Sequence, residues 1–398
     1  MDAARTVPLA QVAALNPRLL QTLSDGTPIS FVSMAAMSAE EAKVTLATDR
    51  PYSEVRKGYT YFETGDVLVA KITPCFENGK IAEAVLPRQY GFGSTEFHVV
   101  RPKVGTLDGR YLHHFLRQAW IRVEGERRMT GSGGQRRVPA DFLAELEIPL
   151  PPLPEQRRIA AILDQADALR VKHREALAQL DSLTQSIFIE MFGRATTDQL
   201  GWPNISLSEV ADVLTGYAFK SDEYVEPHKS TVRLCRGANV MPGRVDWQDL
   251  ACWPKAGYDK LSTFSLEVGD IVIAMDRPWI AEGFKIARIA PSDCPALLVQ
   301  RVARVRAKEI ALDDFVYALL SQPEFARHCR PTETTIPHIS PKEIRSFELR
   351  LPPLPLQQTF ATRIQAVEAL KATHRAALAE LDALFASLQH RAFAGQLL

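Results

Sequence analysis

The sequence lacks the features expected of a secreted or membrane-spanning protein. Its five cysteines are scattered and never form a CxxC pair, which argues against a disulfide framework or a thiolate zinc site. No apolar run approaches the roughly 20 residues that span a bilayer. The N-terminus also lacks the basic start and apolar core of a signal peptide. We therefore expect a cytoplasmic protein with reduced thiols and no membrane partner.

An excess of positive charge is also missing, because 47 lysines and arginines balance 47 acidic residues. DNA-binding domains usually have a basic surface, so this balance counts mildly against nucleic-acid binding. Binding to DNA would have to use local patches. The stretch 101–137 is one such patch, since its basic residues clearly outnumber its acidic ones.

Motifs for catalysis and metal binding are absent as well. The sequence has no phosphate-binding GxxxxGK[ST], no HExxH, no GxSxG and no GxGxxG. His113 and His114 are adjacent, so on a helix they would point to different sides, and we interpret them as ordinary surface or core histidines. We predict no catalytic residue and no metal site in this chain.

The chain does contain an internal repeat. The segment LPPLPEQRR that begins at Leu150 has a second copy, LPPLPLQQT, at Leu351, and a shift of 201 positions aligns both copies without a gap. The same shift places His173 on His374 and Leu180 on Leu381. A constant register from the prolines to the terminal Phe192-Gly193 identifies a true repeat.

Each copy predicts a stiff proline segment followed by a long helix. A helix over residues 155–192 would be about 57 Å long, which favours a rod that separates two globular blocks. Heptad positions a and d predict an apolar seam. The seam candidates that we single out are Leu169, His173, Leu180, Leu370, His374 and Leu381.

The repeat also predicts how the two rods pack. Two repeats in one chain can imitate a twofold dimer, and an axis perpendicular to the rods makes them antiparallel. His173 and His374 lie near the middle of their rods, so we expect them to approach each other. As an alternative, they are ordinary polar members of the seam.

The blocks between the rods share a scaffold but differ in detail. A strand that begins with Gly65-Asp66 corresponds to one that begins with Gly269-Asp270. We predict an α+β protein with a pseudo-twofold repeat, in which two mixed α/β domains are separated by two long antiparallel coiled-coil helices. The four predicted segments are 1–148, 149–195, 196–349 and 350–398.

Differences between similar blocks usually lie in loops, and loops are where binding residues concentrate. Gln135, Arg136 and Arg137 lie on a glycine-rich loop, and glutamine and arginine have the paired donors that recognise adenine and guanine edges. The other candidates for DNA contact are Lys71, Lys220 and Arg277. Each of these side chains could instead be an ordinary solvated residue.

The doubled LPPLPxQ hinge at 151–156 and 352–357, the long helix after it and the terminal Phe-Gly and Phe-Ala-Gly turns resemble one known family. They are similar to the specificity subunit of type I restriction-modification enzymes. Weaker support comes from Gly216-Tyr217-Ala218-Phe219-Lys220.

The resemblance implies that each block is a target recognition domain for one half of a bipartite double-stranded DNA site. The helices would fix the gap and bind two methyltransferase subunits, and restriction subunits would join them. S-adenosylmethionine, ATP and magnesium would be bound by those partner subunits, with no cofactor in this chain.

Other functions remain open. One is a coiled-coil scaffold that presents two protein-binding domains and does not bind DNA. Another is a recognition subunit in a complex that only methylates. An autonomous DNA enzyme is disfavoured by the missing motifs.

Overall fold

The computed structural model describes residues 5–44, 47–132, 134–193, 201–256, 258–329 and 337–397. The chain forms two compact units, the first from Met1–Glu175 and His374–Leu398 and the second from Ala176–Thr373. Each unit therefore contains one predicted block and part of each long helix. The predicted boundary at 195/196 lies outside the described residues, as does most of the loop from Thr332. Within the described ranges, no helix is long and apolar enough to cross a membrane.

In the described part of the first block, twelve short strands and five short α-helices precede the first long helix. Its strands are β1 (Thr6–Pro8), β2 (Ala13–Leu15), β3 (Pro28–Val32), β4 (Met37–Ser38), β5 (Lys43–Val44), β6 (Thr48–Pro51), β7 (Thr60–Glu63), β8 (Val67–Ala70), β9 (Ile81–Glu83), β10 (Tyr90–Gly93), β11 (Phe97–Pro102) and β12 (Glu147–Pro149). Its helices are α1 (Leu9–Val12), α2 (Tyr52–Val55), α3 (Gly109–Leu116), α4 (Ala119–Arg127) and α5 (Ala140–Glu145), and the long helix is α6 (Leu153–Phe192).

The second block follows the same order with more short strands. Its strands are β13 (Asn204–Ser206), β14 (Ala211–Thr215), β15 (Thr231–Cys235), β16 (Val240–Met241), β17 (Arg244–Val245), β18 (Cys252–Pro254), β19 (Ile271–Ala274), β20 (Trp279–Ile280), β21 (Gly283–Phe284), β22 (Ile286–Arg288), β23 (Ala296–Leu298), β24 (Val302–Ala307) and β25 (Glu348–Arg350). Its helices are α7 (Leu207–Val210), α8 (Asp313–Leu320), α9 (Pro323–His328) and α10 (Pro341–Arg345), and the long helix is α11 (Leu354–Phe393).

The two blocks have matching sheets, as the sequence predicted. The first four strands of the six-stranded sheet β2-β11-β8-β9-β5-β4 in the first block correspond to the four-stranded sheet β14-β24-β19-β22 in the second. The first three strands of the four-stranded sheet β6-β3-β10-β7 correspond to the sheet β18-β15-β23, and the pairs β3-β10 and β15-β23 are both parallel. The pair β1-β12 corresponds to β13-β25. The α+β prediction is confirmed.

The Gly-Asp turn at the start of the central strand has the same role in both units. Asp66 is buried and accepts two hydrogen bonds from Arg101, each 2.7 Å long. Asp270 is buried and accepts two from Arg306, at 2.6 and 2.8 Å. Because a buried carboxylate needs such a partner, this pair fixes the strand to its neighbour.

The glutamine of the LPPLPxQ hinge attaches each long helix to its block. Gln357 is fully buried; its Oε1 accepts the Leu312 N–H at 2.8 Å and its Nε2 donates to the Pro352 carbonyl at 2.8 Å. Gln156 makes the equivalent bonds to the Asp108 N–H and the Pro151 carbonyl, both at 2.8 Å. The hinge therefore consists of prolines that begin the helix and a glutamine side chain that hydrogen-bonds to backbone groups of the neighbouring loop and of the proline segment.

The halves of the long helices pack antiparallel within each unit. In the first unit, Arg170 bonds to Asp382 at 2.6 Å, and further along Arg158 donates to the Leu397 carbonyl at 2.6 Å. In the second unit, Lys371 lies 2.8 Å from Asp181. The repeat shift places Arg170 on Lys371 and Asp181 on Asp382, so the two ion pairs are equivalent.

His173 and His374 meet, as the repeat predicted, with their Nδ1 atoms 3.0 Å apart. Leu180 and Leu381 are partly buried at their predicted seam positions. The other two leucines were assigned wrongly, because Leu169 is 47% exposed and Leu370 is 53% exposed.

The helix face that we expected these leucines to bury is instead occupied by the next residue in each helix, Arg170 or Lys371. Lys371 is 4% exposed, and the Arg170 guanidinium lies 4.4 Å from the Phe385 ring centre. Long basic side chains are rarely buried unless they are paired, so the sequence favoured the leucines. The interhelical ion pairs explain why the basic residues are buried instead.

A polar network lies where α3 packs on α6 in the first unit. His114 and His113 are both fully buried. His114 Nε2 lies 2.7 Å from Asp164, whereas no described residue bonds to either ring nitrogen of His113. Burial lowers the pKa of His113 well below its usual value, so its ring stays neutral inside the folded unit.

Replacing the hinge glutamine should destabilise the second unit. Gln357→Ala leaves the Leu312 N–H and the Pro352 carbonyl without their partner, which should lower the free energy of unfolding by about 1–3 kcal/mol. Gln358→Ala is the matched control, since Gln358 is exposed and its loss should change stability by less than about 0.5 kcal/mol. Urea unfolding measures both, and equal effects would contradict the role of Gln357.

Stability should depend on pH through His113. The unfolded chain takes up a proton near pH 6.5, whereas the buried ring remains neutral. The free energy of unfolding should therefore fall from pH 6.5 to pH 5 by up to about 1.4 kcal/mol per pH unit. His113→Leu should reduce this slope, and His390→Leu at an exposed position should leave it unchanged. Urea unfolding at several pH values gives the slopes, and the same slope in both variants would contradict this assignment.

Candidate nucleic-acid interface

In the first unit, the structure brings Lys71 together with the loop that contains Gln135, Arg136 and Arg137. The Lys71 N–H donates to the Glu96 carbonyl at 2.9 Å, and the Lys71 carbonyl accepts the Val138 N–H at 2.9 Å. The loop is thus attached to the end of β8 where β11 begins. Four of the predicted DNA-contact residues share this one edge of the sheet.

The two arginines of this loop already have acidic partners. Arg137 donates to Glu96 from Nε at 2.9 Å and from Nη2 at 2.7 Å, and this bond lowers the pKa of Glu96 and raises that of Arg137. Arg136 lies 3.8 Å from Glu77 and 3.6 Å from Glu126. Gln135 is exposed. To contact DNA, the arginines would have to exchange carboxylates for bases or phosphates.

The second unit has an equivalent edge with different side chains. The Met275 N–H donates to the Arg301 carbonyl at 2.8 Å, and the Arg277 N–H donates to the Pro337 carbonyl at 2.9 Å. Arg277 is exposed, with a φ of 44°. Arg301, which the sequence did not single out, pairs with Asp276 at 3.1 Å. Arg301 has the position that Glu96 has in the first unit, so a comparison of the two blocks could have identified Arg301 as a candidate from the sequence.

Lys220 is not joined to Arg277 by any described contact. It precedes a short 3-10 turn at Ser221–Glu223 and lies 3.5 Å from Glu223. Tyr217 is closer to the candidate edge, because its carbonyl accepts the N–H of Gln300, the neighbour of Arg301, at 2.8 Å. Tyr217 is also exposed, so Tyr217 is the residue of the Tyr217–Lys220 segment that the structure links to this edge.

The long helices expose leucines at repeat-related positions. Leu169 and Leu370 correspond by the repeat shift, and so do Leu183, which is 44% exposed, and Leu384, which is 49% exposed. In the first unit, Arg170 contacts the Phe385 ring across the two helices. Leu169 directly precedes Arg170, and Leu384 directly precedes Phe385. Each unit thus exposes one leucine of each repeat-related pair.

Nothing in the described ranges forms a cluster of three or more metal-ligating side chains. Burial raises the pKa of the Cys235 and Cys329 thiols to about 12. These thiols are therefore protonated and inert at neutral pH. The candidate interface combines basic and polar side chains with the carboxylates that pair with them, which are those of Glu77, Glu96, Glu126 and Asp276.

The sequence profile of the type I restriction modification DNA specificity domain matches residues 24–181 and 199–383. The chain is similar to the type I restriction enzyme EcoAI specificity subunit of Escherichia coli, with 29% identity over 89% of this chain and 75% of that protein. It is also similar to the MjaVIII specificity subunit of Methanocaldococcus jannaschii, with 26% identity over 74% and 71%.

Two solved structures have the same fold. One is a chain from a study of the assembly and conformational transition of a type I restriction-modification system; it is 21% identical, with a TM-score of 0.55 and coverage of 100% and 99%. The other is a type I specificity subunit from M. genitalium, 15% identical, with a TM-score of 0.54 and coverage of 98% and 96%. Because the family profile matches both repeats, the chain belongs to the family of type I restriction-modification DNA specificity subunits.

Proposed function

We propose that each unit of this chain recognises one half of a bipartite double-stranded DNA target. The supporting observation is the repeated edge, at Lys71 and Gln135 in one unit and at Arg277 and Arg301 in the other. The same backbone hydrogen bonds build both edges, but their exposed side chains differ. One scaffold with two sets of polar donors suits the recognition of two different half-sites.

The long helices then set the gap between the half-sites and bind two methyltransferase subunits. Leu169 and Leu370, together with Leu183 and Leu384, place the same apolar side chain at equivalent points of both helices. Equivalent surfaces suit two copies of one partner. Restriction subunits complete the complex, and the partner subunits bind S-adenosylmethionine, ATP and magnesium. In this proposal, the chain itself catalyses no step.

The second candidate is a scaffold that binds proteins through both helices and blocks without contacting DNA. Two observations favour it: the acidic partners of Arg136 and Arg137 and the zero net charge of the chain. It predicts that DNA affinity is absent even when the partner subunits are present.

Adenine methylation across the genome distinguishes the two candidates. Deleting the gene for this chain, with its methyltransferase still expressed, should abolish methylation at one split motif, and restoring the chain should return it. The motif recovered in this way is the target. Unchanged methylation would contradict the recognition role and support the scaffold.

Side chains at the first edge should contribute to DNA affinity. In complex with the methyltransferase, Lys71→Ala should weaken DNA binding and reduce the slope of log affinity against log salt by about one, because one phosphate contact is lost. Gln135→Ala should weaken binding to the target more than binding to unrelated DNA. Lys103→Ala is the control, since Lys103 follows the opposite end of β11 and is exposed. A Lys103 variant as weak as the Lys71 variant would exclude a specific contact.

The exposed leucines should be needed for methyltransferase binding. Leu169→Asp with Leu370→Asp introduces charge where both side chains are about half exposed, so stability should change little. Methyltransferase affinity should fall by at least about tenfold, since an interface buries such apolar groups. Asp at the exposed positions Lys172 and Thr373 is the control. Analytical ultracentrifugation measures assembly, and undiminished binding by the leucine variant would show that the surface lies elsewhere.

A further inference from the structure

The first unit contains an open cavity of about 350 Å³ beside the small sheet. Four aromatic side chains line it, and arginines stand at its rim. The aromatic residues are Tyr52, Tyr59, Tyr61 and Phe92, and the arginines are Arg18 and Arg56. This volume falls within the range of small-ligand sites in proteins.

The aromatic wall is built from the sheet and the turns that flank it. The Phe92 ring centre lies 5.5 Å from that of Tyr61 and 5.7 Å from that of Tyr52. Tyr59 packs edge-on against Phe31 at 5.0 Å and is 39% exposed. Phe92 and Tyr61 are buried, so their positions are fixed, whereas Tyr59 offers ring surface to a ligand. Such a wall suits a flat ring that can stack.

The rim has unpaired positive charge. Arg18 is exposed and forms no ion pair with any residue that the structure describes. Arg56 pairs with Asp25 at 3.0 Å, but both side chains are largely exposed, so this pair is weak. A ligand with a flat ring and a negative group would match the wall and the rim together.

The cavity adjoins the candidate nucleic-acid interface through His98. His98 Nε2 lies 2.9 Å from the carbonyl of Val138, which follows Arg137 in the loop. His98 Nδ1 lies 3.4 Å from the side-chain amide of Asn16, which lines the cavity. The interface and the cavity are therefore separated by one side chain.

The second unit fills the corresponding region with its own side chain. After β14, Phe219 is 4% exposed, with its ring centre 4.8 Å from that of Trp253 and 4.9 Å from that of Tyr217. In the first unit the segment after β2 contributes leucines instead, since Leu19 and Leu23 pack against the cluster that contains Phe92 and Tyr61. The segment after β2 thus contributes no aromatic ring in the first unit, and the cavity lies beside Leu19.

We propose that the cavity binds one nucleobase that has left the stack of the bound duplex. The base stacks against Tyr59, and Arg18 binds the phosphate of the same nucleotide. The proposal rests on the proposed function, since the duplex must first lie along the edge formed by Lys71 and Gln135. Unstacking one base costs energy, which stacking on the tyrosine and the arginine–phosphate contact offset.

The test uses the full chain with its methyltransferase and a duplex that contains the methylated motif. Each nucleotide of the half-sites and their flanks is replaced in turn by an abasic site, and the affinity is measured for the wild type and Tyr59→Leu. Tyr59→Leu should weaken binding to the intact duplex by about 5- to 150-fold. At one position, the abasic duplex should bind both proteins equally, because the stacked base is gone.

Tyr90→Leu is the matched control, as Tyr90 belongs to the same sheet but does not line the cavity. It should bind every duplex within about twofold of wild type. Arg18→Gln should weaken binding whether or not the base is present, because the phosphate remains in the abasic duplex. Thermal melting confirms that the variants are folded.

The outcomes separate the two proposals. The pocket proposal is wrong if Tyr59→Leu binds the motif as tightly as the wild type does. It is also wrong if Tyr59→Leu binds every abasic duplex more weakly than the wild type by the same factor. In both cases the recognition role stands, provided that the wild type binds the motif. If the wild-type complex binds no duplex, both proposals fail.

Discussion

The buried hinge glutamine is the interaction on which the rest of each unit depends. Gln357 has no solvent contact and joins the start of α11 to the loop before α8, and Gln156 does the same for α6. Core contacts orient the same helices, since Ile159 and Leu163 of α6 pack in the first unit and Phe360 and Ile364 of α11 pack in the second. Since both amides are buried, neither helix can tilt without breaking hydrogen bonds.

A fixed scaffold explains how one chain can present two different surfaces. The Asp66–Arg101 and Asp270–Arg306 pairs keep the central strands in the same place in both units. The edges beyond them differ, with Glu96 and Arg137 in one and Arg301 and Asp276 in the other. Changes at such edges leave the core intact, so recognition and stability can vary independently.

The sequence predicted the repeat, the helices and the meeting of His173 and His374, because each depends on local pattern and on the constant shift between copies. It did not predict which heptad position is buried. Leu169 and Leu370 fitted the pattern of an apolar seam. Arg170 and Lys371 can be buried because each pairs with a carboxylate of the other helix, Asp382 or Asp181. The Glu96 partner of Arg137 was also unpredictable, since 41 positions separate the two residues. Which edge residues contact DNA stays a prediction.

Our central proposal is that the long helices set the distance between two recognition domains. It is tested most directly by duplicating one heptad in each helix, beginning at Arg174 and Arg375, which preserves the seam and adds about 10 Å to each helix. Methylation mapping should then find the same two half-sites with a gap wider by about three base pairs, at 3.4 Å per base pair. An unchanged gap with methylation intact would contradict the account.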